Sequence, residues 1–271
     1  AGNGWSMNTG ITFSMAGEMD NGWNVTVTQV LNDDDVSANQ VFDTRSLKID
    51  MGDTGTLTFF GTGGSGVLSA IDDVTPTAGE ESWDDVTGAS AIPGGTGGAN
   101  MFHYSNGSLM DGLSVSASYT PSGGATEVES SSDYGFAYTG VDGLTIGAAT
   151  GEDNSVAASI DITNMYVKYT MDAFSVGYQA SEADSETASA DKDFTAIGLS
   201  YAVSDEMSVS YNMSTIEYED STLSDQEATG VSVSYVMGSM TLTANANSVD
   251  NIAGSAADNR SGYGMSLAFA F

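Results

Sequence analysis

The sequence predicts an all-β protein whose antiparallel strands close into a transmembrane β-barrel, and three observations support this fold. Apolar residues recur at every second position along most of the chain, as in strands with one apolar face. Tight turns alternate with long polar loops, a layout typical of barrels that span a membrane. The chain has 33 Gly, 3 Pro and no Cys, which suits many short strands and excludes disulfide or thiolate sites. No run reaches the roughly 18 apolar residues of a transmembrane helix.

The charge of the chain is strongly negative, with 37 acidic and 5 basic residues and a formal net charge of −32. Binding to nucleic-acid phosphates requires clusters of Lys and Arg, so nucleic acid is excluded as a partner. An acidic surface attracts cations and stays soluble in salt, and a saline habitat is one explanation. Residues 1–4 lack the charged and apolar regions of a signal peptide, so an exported protein would have lost that peptide already.

The alternation defines strands of about 8–11 residues, each with one large apolar face and one small or polar face. In the last segment, Gly, Ser and Ala alternate with Tyr263, Met265, Leu267, Phe269 and Phe271. A soluble β-sandwich also alternates, so the period alone leaves that fold open. Aromatic residues near strand ends, as in the interfacial girdles of membrane barrels, favour the barrel: Tyr119, Tyr138, Tyr201, Tyr235 and Tyr263.

The connections alternate in length, which predicts the strand count. The tight ones are 18–22, 51–55, 107–112, 140–143, 171–173, 204–206 and 238–239, and the long ones are 32–40, 61–99, 121–132, 151–162, 181–192, 217–226 and 249–260. About 15 strands are visible between them. Residues 1–271 are predicted to form a single barrel domain. Because single-chain bacterial barrels have an even number of strands, we expect a barrel of 16 strands whose first strand precedes residue 1. The alternative is a strand split or merged in the count.

The longest connection, residues 61–99, carries several acids and no Lys or Arg. Connections of this length are usually functional or disordered, and interspersed apolar residues such as Leu68, Trp83 and Val86 favour a packed segment. The candidate pore-lining acids on it are Asp72, Asp73, Glu80, Glu81, Asp84 and Asp85.

Two segments and the C-terminus resemble a known family. Residues 45–61 (RSLKIDMGDTGTLTFFG) and 13–23 (FSMAGEMDNGW) resemble the hairpins that precede the constriction loop of trimeric general bacterial porins, most closely alphaproteobacterial ones. Phe271 matches the family's assembly signal. The resemblance implies a 16-stranded homotrimer in the bacterial outer membrane, whose loop 61–99 narrows the lumen with acids facing basic wall residues. Lys48 matches the family's wall lysine, and the loop acids correspond in role. The family's loop follows its fifth strand, which supports a missing first strand here.

Strand alternation also predicts the polar residues of the pore wall. With Leu47 and Ile49 facing lipid, the residues between and after them face the lumen. The same reasoning applied to other strands gives the full wall set: Lys48, Asp50, His103, Lys168 and Arg260. Because basic residues are so few, an acidic lumen predicts a cation-selective pore.

Other chemistry has little support in the sequence. The run Asp33, Asp34, Asp35 is either a solvated loop or a weak Ca²⁺ candidate, without the spacing of an EF-hand. His103 is the single histidine, which excludes sites that need several His ligands. No Gly-x-Ser-x-Gly motif marks a hydrolase serine. We therefore expect no enzymatic activity and no cofactor, with Ca²⁺ in the acidic loops as the one candidate ion.

The function that follows is an outer-membrane porin for passive diffusion of small hydrophilic solutes and ions. Its expected partners are two further copies of the chain, outer-membrane lipid and lipopolysaccharide. Two alternatives stay open at this point: a substrate-selective channel, which would need an aromatic or charged ladder along the lumen, and a secreted acidic β-sandwich or surface-layer adhesin, which would be soluble without detergent.

Overall fold

A computed structural model describes residues 10–32, 44–90, 97–123, 129–154 and 158–269, which form one large antiparallel sheet and a small ribbon. The predicted positions Asp33, Asp34, Asp35 and Phe271 lie outside these residues. The strands of the large sheet are β1 (Gly10–Glu18), β2 (Asn24–Asn32), β3 (Thr44–Asp50), β4 (Thr56–Thr62), β7 (Met101–Met110), β8 (Leu113–Thr120), β9 (Ser131–Val141), β10 (Leu144–Asp153), β11 (Ile160–Met171), β12 (Phe174–Ser185), β13 (Lys192–Ala202), β14 (Met207–Tyr218), β15 (Gln226–Met237), β16 (Met240–Asp250) and β17 (Arg260–Phe269). The ribbon pairs β5 (Gly64–Ser65) with β6 (Gly97–Gly98).

The large sheet is a simple meander. Its 15 strands neighbour one another in chain order, apart from the ribbon between β4 and β7. The predicted count of 15 visible strands is confirmed. Among the described residues, β1 and β17 are the two edges of the sheet, so the sixteenth strand stays a prediction.

The two faces of the sheet are reversed relative to a soluble protein. On β14, the exposed face carries Tyr211 (42% exposed) and Met213 (43%), whereas Ser210 and Asn212 on the other face are buried. Apolar side chains in contact with solvent and polar ones covered by protein are the arrangement of a strand whose outer face meets lipid. No helix in the described part of the chain is long and apolar enough to span a membrane.

Several strands extend further than the sequence predicts. The prediction ended two strands before the loops at 151 and 181, but β10 continues to Asp153 and β12 to Ser185. The prediction of a tight turn over 107–112 is likewise too wide, because β7 continues to Met110 with an irregular register after Asn106. Acidic and glycine residues are uncommon in strands, so these strand ends read as loops.

The extended strand ends form an acidic belt on the exposed face, above the apolar residues. Directly opposed across strands are Glu152 and Asp161, Asp161 and Asp184, Glu182 and Asp193, Asp193 and Glu217, and Glu227 and Asp250. Like charges at directly opposed positions destabilise a sheet. The belt therefore opposes folding at low ionic strength and ends the lipid-facing band on this rim.

Salt is expected to stabilise the folded protein through this belt. Raising the ionic strength from 0.15 to 1 M shortens the Debye length from about 8 to about 3 Å. Partial relief of the five opposed pairs should raise the unfolding temperature in detergent by on the order of 5 °C, followed by heat-dependent gel migration. The variant Glu182→Gln, Asp193→Asn, Glu217→Gln should respond to salt less than the parent. Equal responses would contradict this role of the belt.

Candidate functional site

The long connection between β4 and β7 lies against the covered polar face of the sheet. We call residues 66–90 the inner loop. It begins where the N–H groups of Val67 and Leu68 donate to Ser118 Oγ (2.9 Å) on β8 and Asp133 Oδ2 (2.8 Å) on β9. At its far end, Arg260 Nη1 on β17 donates to the carbonyl oxygen of Thr87 at 2.8 Å. The inner loop therefore crosses the polar face from β8 to β17.

Apolar side chains hold the inner loop to the wall. Val67 and Leu68 are 4% and 2% exposed and pack with Ala149, Ile162 and Ala183. Further along, Trp83 stands edge-on against Phe194, with 5.6 Å between ring centroids, and Val86 packs against Val249. These contacts agree with a packed segment, since a disordered loop would bury none of them.

The six predicted acids all lie on this loop. Asp73, Glu80 and Asp85 are exposed, while Asp72, Glu81 and Asp84 are half-buried. Carboxylate oxygens of Glu80, Glu81 and Asp84 come within 4.8 Å of one another. We call these three residues, with Asp85, the acidic cluster. Within the described residues, none of its carboxylates forms an ion pair.

Burial and the neighbouring acids raise the pKa of several carboxyl groups on the loop. Burial, the charge of Asp73 and a hydrogen bond to it raise the pKa of Asp72 to about 6. Burial and a hydrogen bond to the Asp84 carboxyl raise the pKa of Glu81 to about 8. Burial and the charges of Asp84 and Asp85 also raise the pKa of Glu80. At neutral pH, Glu81 therefore holds a proton, and its full charge develops only in alkaline solution.

Two predicted wall residues share the face on which the loop lies. Lys48 is directly opposite Thr58, Thr58 opposite His103, and His103 opposite Ser118, which binds the loop. Directly opposed residues of neighbouring strands point to the same face. Lys48 and His103 therefore lie on the same face of the sheet as the loop, on strands beside the part that the loop contacts.

The other predicted wall residues make local contacts. Asp50 accepts the N–H of Gly52 at 3.0 Å in the short turn after β3. Lys168 lies beside the inner loop with its ammonium 5.7 Å from the centre of the Tyr166 ring. Arg260 pairs with Asp258 at 2.8 Å in addition to its bond to the loop. Arg260 thus has a structural role that its position in the sequence did not indicate.

Amide side chains of the wall are the functional residues that the sequence did not reveal. Gln179, which is fully buried, accepts the N–H of Val74 (3.1 Å) and donates to the Asp72 carbonyl (2.8 Å). Gln226 bonds both the N–H and the carbonyl of Ser90, at 3.0 and 2.9 Å. Each amide thus pairs with one backbone N–H and one backbone carbonyl of the loop, as the backbone of a neighbouring strand would. In the sequence, these residues appear only as an inward-facing Asn or Gln among Ser and Gly. That pattern is equally typical of a wall lined by water, so it does not indicate a contact with the loop.

The acidic cluster could offer oxygen ligands to a cation. Among the described residues, Glu80, Glu81 and Asp84 are the group of acids close enough to share one ion. Calcium takes six to eight oxygen ligands, and three side chains supply only part of that shell. The cluster acts chemically as a concentrated negative charge rather than a complete cage.

The chain resembles known proteins in sequence and in structure. A family model described as Gram-negative porin matches residues 1–222, and a search of curated proteins gives no match. An anion-selective porin from Comamonas acidovorans is 13% identical, with a TM-score of 0.73 and coverage of 97% of this chain and 89% of that one.

Two further solved structures share the fold. A variant of Rh. blastica porin is 15% identical, with a TM-score of 0.67 and coverage of 97% and 90% of the two chains. Salmonella typhi OmpF in complex with daunomycin is 11% identical, with a TM-score of 0.67 and coverage of 96% and 90%. These likenesses show a porin fold, which explains the apolar outer face and the loop on the inner one. The matched family model covers most of the chain, and the protein belongs to the Gram-negative porin family of outer-membrane channels.

Proposed function

We propose that this outer-membrane porin forms a cation-selective, water-filled pore for passive diffusion of small hydrophilic solutes. The observation that carries the proposal is the acidic cluster on the inner loop, whose carboxylates have no ion pair in the described part of the chain. Glu80 and Asp85 are exposed, and Glu81 and Asp84 are half-buried. A concentration of carboxylates raises the local concentration of cations and lowers that of anions. Selectivity follows these charges rather than the fold, since the Comamonas acidovorans porin with the same fold is anion-selective.

Residues 61–99 take the role of the constriction loop in this proposal. The acids Asp72, Asp73, Glu80, Glu81, Asp84 and Asp85 form its negative side. Lys48, His103 and Lys168 line the wall and are fewer than the acids of the loop, so the negative sign dominates. In the described part of the chain, the covered face carries small and amide side chains such as Ser210 and Asn212 rather than an aromatic or charged ladder, which favours a general pore over a substrate-selective channel. Membership of a channel family argues against the secreted β-sandwich and against an enzyme.

The proposed assembly is a homotrimer in contact with outer-membrane lipid and lipopolysaccharide. A porin-like structure of Vibrio cholerae OmpT, 14% identical to this chain, is described in a trimer form. The exposed apolar face supplies the surface for lipid and for neighbouring copies. The family generally has no cofactor, and Ca²⁺ at the acidic loops stays a proposal, with Asp33, Asp34 and Asp35 as its candidates.

The test is single-channel recording in a planar bilayer across a KCl gradient. We expect insertion in conductance steps of three and a reversal potential of the sign that marks K⁺ as the more permeant ion. A reversal potential with the opposite sign would refute cation selectivity. Single steps without threefold levels would refute the trimer and leave the selectivity untouched.

A further inference from the structure

A row of glycine and asparagine residues crosses the inner wall beneath the loop. Each member is directly opposite the next on the neighbouring strand, from β12 to β17. We call this set the Gly/Asn row, and it consists of Gly177, Gly198, Asn212, Gly230, Asn247 and Gly262. Residues that share one face across six strands form a continuous line on that face.

The glycines of the row let the loop backbone rest directly on the sheet. A Cβ atom at Gly198 would lie 2.7 Å from the carbonyl oxygen of Pro76, and one at Gly230 would lie 3.0 Å from the Cα of Ser82. A Cβ at Gly262 would overlap the carbonyl of Asp85. Any larger side chain at these positions would lift the loop away from the wall, so the glycines form a shallow trough.

The asparagines of the row bind the backbone that the trough admits. Asn212 Nδ2 donates to the Pro76 carbonyl at 3.0 Å. Asn247 Nδ2 donates to two carbonyls, those of Glu81 and Asp84, both at 2.8 Å. Both asparagines are 4% exposed, so loss of either would leave buried carbonyls without a donor, which is costly.

Asn247 has a special place because both of its acceptors belong to the acidic cluster. It closes the turn between Glu81 and Asp84, and Ser82 inside that turn lies with its Oγ 3.1 Å from Ser214 Oγ. The backbone of the turn is held at these points, and Asn245 Nδ2 on the wall donates to the Asp85 carboxylate at 2.9 Å. The pore charge is thereby held in a fixed place on the wall.

We propose that the Gly/Asn row is a docking track that fixes the inner loop, and that Asn247 positions the acidic cluster for ion selection. The second part rests on the proposed cation-selective pore, whereas the first does not.

The positioning role is tested by Asn247→Leu, which keeps the size of the side chain and removes both donors. We expect the ratio of K⁺ to Cl⁻ permeability to fall at least about threefold, because each unpaired carbonyl releases the turn that carries the cluster. The matched control is Asn106→Leu, since Asn106 is equally buried but donates to Asp53 in a short turn away from the inner loop. An unchanged ratio in folded Asn247→Leu, or an equal fall in the control, would overturn the role of Asn247.

The docked position of the loop is tested by the double variant Ser82→Cys, Ser214→Cys. The natural chain has no cysteine, so a single disulfide can form, and two side-chain oxygens 3.1 Å apart suit one. We expect the disulfide to form on oxidation. We also expect the conductance and the permeability ratio to be the same in the oxidised and in the reduced protein. Two results would overturn the docked position of the loop. One is labelling of both thiols by a membrane-impermeant reagent after oxidation, and the other is a more than twofold change in conductance on oxidation.

The two experiments separate the inference from the proposed function. A parent protein without cation preference would refute the selective pore, and the disulfide would still decide whether the loop is docked. Heat-dependent gel migration shows whether Asn247→Leu is folded. If it is not folded, the disulfide variant decides by itself whether the loop is docked: formation of the disulfide without a change in conductance supports docking, and its failure to form contradicts docking.

Discussion

Conversion of the acidic cluster to amides is expected to remove most of the cation preference of the pore. The variant is Glu80→Gln, Glu81→Gln, Asp84→Asn, Asp85→Asn. Amide oxygens can still accept the hydrogen bonds that the carboxylates accept, such as that from Asn245 Nδ2 to Asp85 (2.9 Å). The change therefore removes negative charge and leaves the packing of the loop in place. Charges within about a Debye length of the permeating ion, roughly 10 Å at 0.1 M salt, dominate its local concentration.

The measurement is the reversal potential in a tenfold KCl gradient, where an ideally cation-selective pore reaches about 59 mV. We expect tens of millivolts for the parent and less than half of its value for the variant. The matched control removes four acids from the belt on the outer face, as Glu182→Gln, Asp193→Asn, Glu217→Gln and Glu227→Gln. It removes the same number of acidic side chains but away from the lumen, so its reversal potential should stay close to that of the parent. Equal losses in both variants would show that overall charge, not the cluster, sets the selectivity.

The strands could be predicted from the sequence because lipid and lumen impose opposite chemistry on alternate residues. Met265, Leu267 and Phe269 on β17 are all more than half exposed, as their period of two indicates for a lipid-facing row. The same reasoning failed where a strand leaves the lipid. Glu182 and Asp184 belong to β12, but once a strand rises above the membrane its outer face is polar and its pattern becomes that of a loop.

The acids of the candidate site could also be predicted, whereas the surface that holds them could not. Six acids in a long loop without a basic residue are a strong signal in one dimension. Asn247 and Gly230 carry no such signal, because an inward-facing Asn or Gly is expected wherever water fills a barrel. Their contacts with the inner loop join residues more than 140 positions apart, and only the register of the neighbouring strands brings them together.

The cation preference is expected to rise with pH in two steps, near pH 6 and near pH 8. The pKa of Asp72 is raised to about 6 and that of Glu81 to about 8, so both are protonated at pH 5 and both are charged at pH 9. Each deprotonation adds one negative charge beside the path of the ions. Reversal potentials recorded from pH 4.5 to 9.5 should follow these two steps.

Single variants assign the steps. Glu81→Gln should abolish the step near pH 8 and keep the lower one, and Asp72→Asn should do the reverse. Glu206→Gln serves as the control, since Glu206 lies in a tight turn and accepts a hydrogen bond from Ser204 (3.0 Å). A parent whose preference is constant across this range, or steps that survive both variants, would exclude these carboxyls as the titrating groups.

The same titration has the opposite effect on stability. A carboxyl whose pKa is higher in the folded protein than in the unfolded chain binds more protons when folded, so stability falls as pH rises from the ordinary value towards the raised one. For Glu81 this range extends from about 4.5 to about 8. The pore therefore gains selectivity from the charges that repel one another on the docked loop. Heat-dependent gel migration at pH 5 and pH 9 should show a lower unfolding temperature at pH 9 in the parent and a smaller difference in Glu81→Gln. A parent more stable at pH 9 than at pH 5 would contradict this coupling, because its carboxyls would then favour the charged form.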